Sequence, residues 1–258
     1  EQAESLSQSI QSQHRELSLL TRDRRTIQST VRLQEELGEA IARFAGSLGM
    51  AGSDPFAQER EGEALARSLK SLEDGIRSDW KAFDNADSSA TGAKAALTFC
   101  HQYLRDARHD KIPDSRTLTR AIQRHGELES ELQRVEVELE TAHADWNELF
   151  GHINQIIGET SKVRATLEHE LAAAREAAEK LRLATSSIRD LHSWRSSYSV
   201  SINRRAGNKK LHQAKQALAL GRYGEARQAA ISAQGESLRE YQRARSAESS
   251  AASAAIAA

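Results

Sequence analysis

The chain has one cysteine, two prolines, and aromatic side chains at only 5% of its positions. Each scarcity excludes something. With Cys100 alone no intrachain disulfide can form, so a disulfide-stapled scaffold is ruled out and a reducing compartment is favoured. With so few large rings and 38% apolar residues overall, there is too little bulk for a thick globular core. Pro and Gly are also too sparse, and the apolar pattern too regular, for a disordered chain. No run approaches the 18 or so apolar residues needed to span a bilayer, and no Asn-x-Ser/Thr sequon occurs. The formal net charge is −1, so no global field recruits nucleic acid or anionic lipid. The chain opens on Glu1, and residues 1–10 are already patterned like helix interior. The expectation is a fragment, with any signal or anchor segment lying outside it.

What remains is periodicity. Over residues 114–200 the apolar positions Leu118, Ile122, Leu132, Val135, Leu139, Ala142, Trp146, Leu149 and Ile153 step by threes and fours. They resume at Val163, Leu167, Leu171, Ala174, Leu181 and Ile188. This spacing predicts one nearly unbroken amphipathic helix, roughly 130 Å long at 1.5 Å per residue. Gly151 and Gly158 fall inside it, each costing about 1 kcal/mol against Ala, and a bend or a local junction is expected between them.

A first helix is read over 3–48. Its track Leu6, Ile10, Leu17, Leu20, Ile27, Val31 is interrupted at Gln13 and Arg24. A second track, Leu33, Leu37, Ile41, Phe44, Leu48, is slipped from the first, as expected where a helix changes packing partner. Gly46, Gly49 and Gly52 are read as its end, with Ser53-Asp54-Pro55 starting the next helix. That helix carries Leu65, Leu69, Leu72, Ile76, Trp80 and Phe83 on one face. The polar stretch Asp84–Gly92 is read as a break or exposed turn before Ala96, Leu97, Cys100 and Leu104. His109–Pro113 is the clearest loop, with Asp114 or Ser115 capping the helix that follows. After Tyr198 the pattern breaks at Asn203–Asn208, and a short helix, 209–220, turns at Gly221 and returns as 224–246. Ser246–Ala258 reads as a fraying, Ala/Ser-rich helix end.

The fold class expected is all-α: elongated antiparallel bundles sharing one long central helix. The domains expected are 1–160 as an up-down-up three-helix bundle, 161–248 as a thinner bundle ending in a helical hairpin, and 249–258 as a tail. The segment Leu220-Gly221-Arg222-Tyr223-Gly224-Glu225-Ala226 resembles the Gly-x-Tyr-x-Glu-Ala turn of tetratricopeptide hairpins, although no repeat array accompanies it. Trp80, Trp146 and Trp194 all fall on apolar seams, and one helix closes the first bundle while opening the second. Helix order, tryptophan placement and the Gly-x-Tyr hairpin together resemble the spectrin-like rods of the bacterial septation-ring regulator family. That resemblance implies a scaffold role in cell division or envelope organisation.

The search for chemistry returns little. Glu140-x-x-His143 matches half of a di-iron pair, but none of the other eight histidines has Glu three residues before it; a polar surface pair is the reading. Asp84-Asn85-Ala86-Asp87 lacks the remaining ligands of a calcium loop and reads as a polar turn. Cys100 and His101 point about 100° apart on a helix, so Cys100 is read as a buried structural thiol. No Gly-x-x-x-x-Gly-Lys loop, His-Glu-x-x-His motif or Gly-x-Ser-x-Gly elbow occurs. No catalytic residue, metal or cofactor is assigned, and no enzyme activity is expected.

Charge is the one uneven property. Residues 127–148 hold eight acidic side chains against Arg134 alone, and residues 202–227 hold seven basic ones against Glu225 alone. One reading is solvated helix faces. The other is a pair of docking patches, with Arg204, Arg205, Lys209, Lys210 and Lys215 on one and Glu127, Glu131 and Glu138 on the other. Asn203–Lys210 is also the one candidate phosphate-binding loop, though nucleic acid is not the expected partner. Two function classes stay open: a scaffold segment acting through protein partners or self-association, and the coiled-coil arm of a larger mechanical or DNA-associated ATPase. The expected location is cytoplasmic, with membrane association only through a segment outside these residues.

Overall fold

The computed structural model describes residues 2–48 and 54–257. Among them the fold is all-α, with seven helices: α1 (Gln2–Leu20), α2 (Gln28–Ser47), α3 (Pro55–His109), α4 (Arg116–Glu140), α5 (Trp146–Ser193), α6 (Asn208–Ala219) and α7 (Tyr223–Ala257). Two compact units are formed, one from 1–97 and 127–160, the other from 98–126 and 161–258. In place of a single cut at 160, the chain passes between units at 97–98, 126–127 and 160–161.

In the first unit, α1 and α2 are separate helices, which corrects the single helix expected over 3–48. The slip between the two apolar tracks is the site of a reversal. The polar run Thr21–Thr26 supplies its own turn: Asp23 accepts the Arg25 N–H at 2.9 Å and its guanidinium at 3.0 Å. Arg25 thereby holds the Asp23 carboxyl below its usual range. The buried Asp79 of α3 accepts the Ile27 N–H at 3.1 Å, tying the restart of the chain to the bundle. The helices then run back on one another, with the His14 ring 3.2 Å from the Gln34 carbonyl oxygen and Leu6 and Phe44 meeting over Gly62. Ile10, Leu17, Leu37, Ile41, Phe44, Leu65, Leu69, Leu72 and Ile76 form the three-helix core. Gly46 lies within α2, and Asp54 caps α3 by accepting the Phe56 N–H at 3.0 Å. Gly49, Gly52 and Ser53 lie outside the described residues.

The stretch Asp84–Gly92 does not break α3. Ala82, Ala86, Ala90 and Ala93 are buried at helical spacing while Asp84, Asn85 and Asp87 are exposed, so the polar run is a solvated face over an alanine seam. The helix expected over 114–200 is divided instead at 141–145 and ends at Ser193. Asp145 accepts the N–H groups of Asn147 and Glu148 at 3.1 Å each, capping α5. His143, at φ 62°, donates its N–H to the Arg24 carbonyl at 3.0 Å, and its Nδ1 lies 2.6 Å from the Thr26 oxygen. Trp146, fully buried, donates from its indole to the Arg25 carbonyl and meets Phe83 edge to face at 5.0 Å. The α4–α5 corner therefore docks on the α1–α2 corner, and the backbone leaves the helix to make those bonds. Gly151 and Gly158 both lie on an open face inside the continuous helix α5, so no non-helical junction falls between them.

In the second unit the alanines dominate. Ala174, Ala177, Ala217 and Ala226 surround Tyr223, and Ala184, Ala214, Ala230 and Ala233 surround Ile188. Methyl-sized side chains let α6 and α7 lie close against α5. Trp194 is half-buried beyond the end of α5, and α7 stays helical to Ala257.

Candidate functional site

The α6–α7 turn is built as the Gly-x-Tyr pattern requires. Gly221 adopts φ 66°, and a Cβ there would lie 2.6 Å from Ser115 Cα, so both conformation and space demand glycine. The Gly221 and Arg222 N–H groups return to the Leu218 and Ala217 carbonyls at 2.9 Å, closing the end of α6. Tyr223 is buried, and its hydroxyl donates to the Pro113 carbonyl in the loop before α4. Burial pushes the Tyr223 phenol upward from its ordinary value. Ser115 caps α4 by accepting the Leu118 N–H at 2.9 Å, and its hydroxyl donates to Glu170 on α5. A groove of about 780 Å³ opens beside this turn, with Arg116, His169, Glu176, Arg222 and Arg227 on its walls. Arg227 is paired to Glu176 at 2.7 Å, so the groove is largely charge-balanced. Ser115 and Glu170 also line it, the hydroxyl that bonds the carboxylate being the one that accepts the Leu118 N–H at the start of α4.

Residues 194–207 form the longest non-helical segment among the described residues. A segment of this length with no helix or strand needs other partners for its backbone. Helix α7 provides them. The carboxylates of Glu248, Glu240 and Glu236 accept the N–H groups of Ser197, Asn203 and Gly207 at 3.3, 2.7 and 3.2 Å. Arg243 donates to the Ser201 carbonyl at 2.9 Å and pairs with Glu240 at 2.6 Å. Glu236, Glu240 and Arg243 recur at i, i+4 and i+7, so one face of α7 is a strip of clamps. The Arg243 guanidinium, helped by the Asn203 N–H, holds the Glu240 carboxyl down at about 2. Gly207, at φ 82° and hard against the Ala233 carbonyl, starts α6 where no side chain fits.

This clamp decides what the basic stretch looks like. Three carboxylates of α7 bond the backbone of this stretch rather than its cationic side chains. Arg204, Arg205, Lys209 and Lys215 are exposed and Lys210 is half-exposed. Arg204 reaches the Trp194 carbonyl at 3.5 Å, while Arg205, Lys209, Lys210 and Lys215 have no ion pair among the described residues. In the other unit, Glu138 is exposed on α4, whereas Glu127 and Glu131 are not free charges. The structure thus places the two sets of expected patch residues in different units, the basic set in the second and the acidic set in the first.

The remaining sequence candidates resolve as packing. Glu140 ends α4 and His143 bonds the α1–α2 corner, so they form no inward-facing pair. The Asp84–Asp87 run lies on a helix, which excludes the expected polar turn. Cys100 is fully buried, and the exposed His101 rests its ring against His125 with centroids 4.7 Å apart. The clamp went unread in the sequence, although the i, i+4, i+7 charges on α7 opposite a Ser-rich loop were a usable signal.

No helix among the described residues is long and apolar enough to cross a membrane. No family model, curated protein or solved structure matches this chain.

Proposed function

We propose that this chain is a non-enzymatic scaffold segment that holds protein partners through its charged helical faces. The observation that carries the reading is the basic set Arg205, Lys209, Lys210 and Lys215, which has no ion pair among the described residues, beside carboxylates engaged by the 194–207 backbone. The clamped loop and helix α6 hold the backbone that carries these charges in place, so a partner meets a preorganised basic face. Exposed ion pairs contribute under about 1 kcal/mol each, so such contacts are weak, additive and salt-sensitive. The resemblance to spectrin-like division scaffolds points the same way, and the compartment that goes with it is the cytoplasm.

The test is retention of the chain on immobilised poly-glutamate, a stand-in for an acidic protein face. Reversal of Arg204, Arg205, Lys209 and Lys210 to Glu is expected to abolish retention at low salt, and high salt to abolish it for the unaltered chain. Equal retention of both chains, or retention indifferent to salt, sinks the reading.

A further inference from the structure

The basic face has a complement on the same chain. At the α4–α5 corner of the first unit, Glu138, Asp145 and Glu148 line a groove of about 400 Å³ with Thr141, Ala144, Leu149 and His152, and no Lys or Arg lines it. Glu138, Glu148 and the neighbouring Glu140 are exposed and form no ion pair among the described residues. The corner itself is fixed, because Asp145 caps α5 and His143 and Trp146 bind the α1–α2 turn. A grooved acidic corner and a basic face fastened to α7 are therefore both present, and their charged side chains form no ion pair among the described residues.

We propose that the partner is a second copy of this chain: the basic face around Arg204, Arg205, Lys209 and Lys210 of one copy seats on the acidic corner of the next. This rests on the charged-face reading above and names its partner. The lysines at 209 and 210 are the natural probes for the groove, being long, flexible and unpaired. Because the two surfaces differ, the contact is heterologous. Each copy that joins leaves one basic and one acidic face unused, so growth is open-ended unless the rotation between copies closes a ring. The contact is dynamic and ionic-strength-dependent, because every pair in it is rim-like and screened within about 10 Å at ordinary salt.

The experiment is sedimentation velocity of the full 258-residue chain over a wide concentration range, at low and at high salt. The expected result is a sedimentation coefficient that climbs with concentration at low salt and is flat at high salt. Reversal of Arg204, Arg205, Lys209 and Lys210 to Glu weakens association by at least about tenfold. Glu138→Lys with Glu140→Lys and Glu148→Lys does the same; Asp145 is left intact so that α5 keeps its cap. Far-ultraviolet circular dichroism checks that each variant is folded, and the two sets lie in different units, so loss of one fold leaves the other arm readable. The decisive sample is an equimolar mixture of the two reversed variants, whose charges are again complementary and in which association returns. A coefficient flat with concentration at low salt overturns the proposal, as does association that survives either reversal or a mixture that stays unassociated. Absence of self-association with poly-glutamate retention intact removes only the second copy as partner. Loss of both removes the charged-face reading as well.

Discussion

The bundle of α1, α2 and α3 and the α6–α7 hairpin on α5 solve the same packing problem with opposite materials. The first interdigitates Leu, Ile and Phe, with Leu69, Leu72 and Phe44 wholly buried. The second brings alanines together, with Ala177, Ala184, Ala214, Ala230 and Ala233 at or near zero exposure. A buried leucine removes several more methylenes from water than an alanine does, at about 0.8 kcal/mol each. The hairpin recovers by close approach and by polar fastening: the Tyr223 hydroxyl, the Ser115–Glu170 bond and the α7 carboxylates on the 194–207 loop. The bundle is held by bulk; the hairpin is held by fit and hydrogen bonds.

The contrast breaks most severely at Trp146. Its ring is fully buried between Phe83 and the α1–α2 corner, and its indole N–H serves the Arg25 carbonyl. Trp146→Ala is expected to cost about 3–5 kcal/mol, read by chemical denaturation with loss of protection across 20–27 and 140–147. A variant with an unchanged midpoint removes Trp146 from the keystone role. Next come paired core substitutions. Leu72→Ala opens a cavity in the bundle and is expected to cost about 2–5 kcal/mol. Ala230→Leu overfills the hairpin and is expected to cost about 1–3 kcal/mol. The bundle should fail by deletion and the hairpin by addition; an Ala230→Leu chain that melts later than the parent contradicts the close-packing account. Tyr223→Phe keeps the ring but leaves the Pro113 carbonyl without its donor, an expected loss of about 1–3 kcal/mol read across 209–246 and the loop around Pro113.

The smallest effect is electrostatic. The Glu240 carboxyl is held down at about 2, against 4.5 ordinarily, by Arg243 and the Asn203 N–H. A lowered carboxylate value means that its contribution is complete above about pH 4.5 and is lost as pH falls toward 2. Exchange of the Asn203 amide, corrected for the intrinsic pH effect, should rise over that window in the parent and be already raised in Glu240→Gln. An Asn203 amide equally protected in both chains places the clamp elsewhere.

Helix-forming periodicity was legible almost everywhere because a seam of threes and fours leaves few alternatives. The positions where it misled share one cause. At 21–27 and 141–145 the apolar spacing survives across the turn, since Leu17 and Leu37 flank one and Leu139 and Trp146 the other, all buried, so period alone reads straight through. Local chemistry was the better signal: Asp23 with Arg25 and Thr26 in one run, and Asp145 three residues before Glu148 in the other. At Asp84–Gly92 the error was reversed, because alanine is a weak apolar marker and a seam of Ala82, Ala86 and Ala90 looks polar beside Asp84 and Asp87. The hairpin turn was read correctly from Gly221 and Tyr223, whose roles are local. The 194–207 clamp was not, because its donors are backbone N–H groups and its acceptors lie 29 to 51 residues away.

The most direct test of the contrast is native-state hydrogen exchange at neutral pH across both regions of the unaltered chain. The account predicts the highest opening free energies in the α1–α2–α3 core around Leu69 and Leu72, and lower ones, opening together, for α6, α7 and the 194–207 loop. Equal or greater protection of α6 and α7 would contradict it, because an alanine contact fastened by a few hydrogen bonds would then match a core of leucine, isoleucine and phenylalanine.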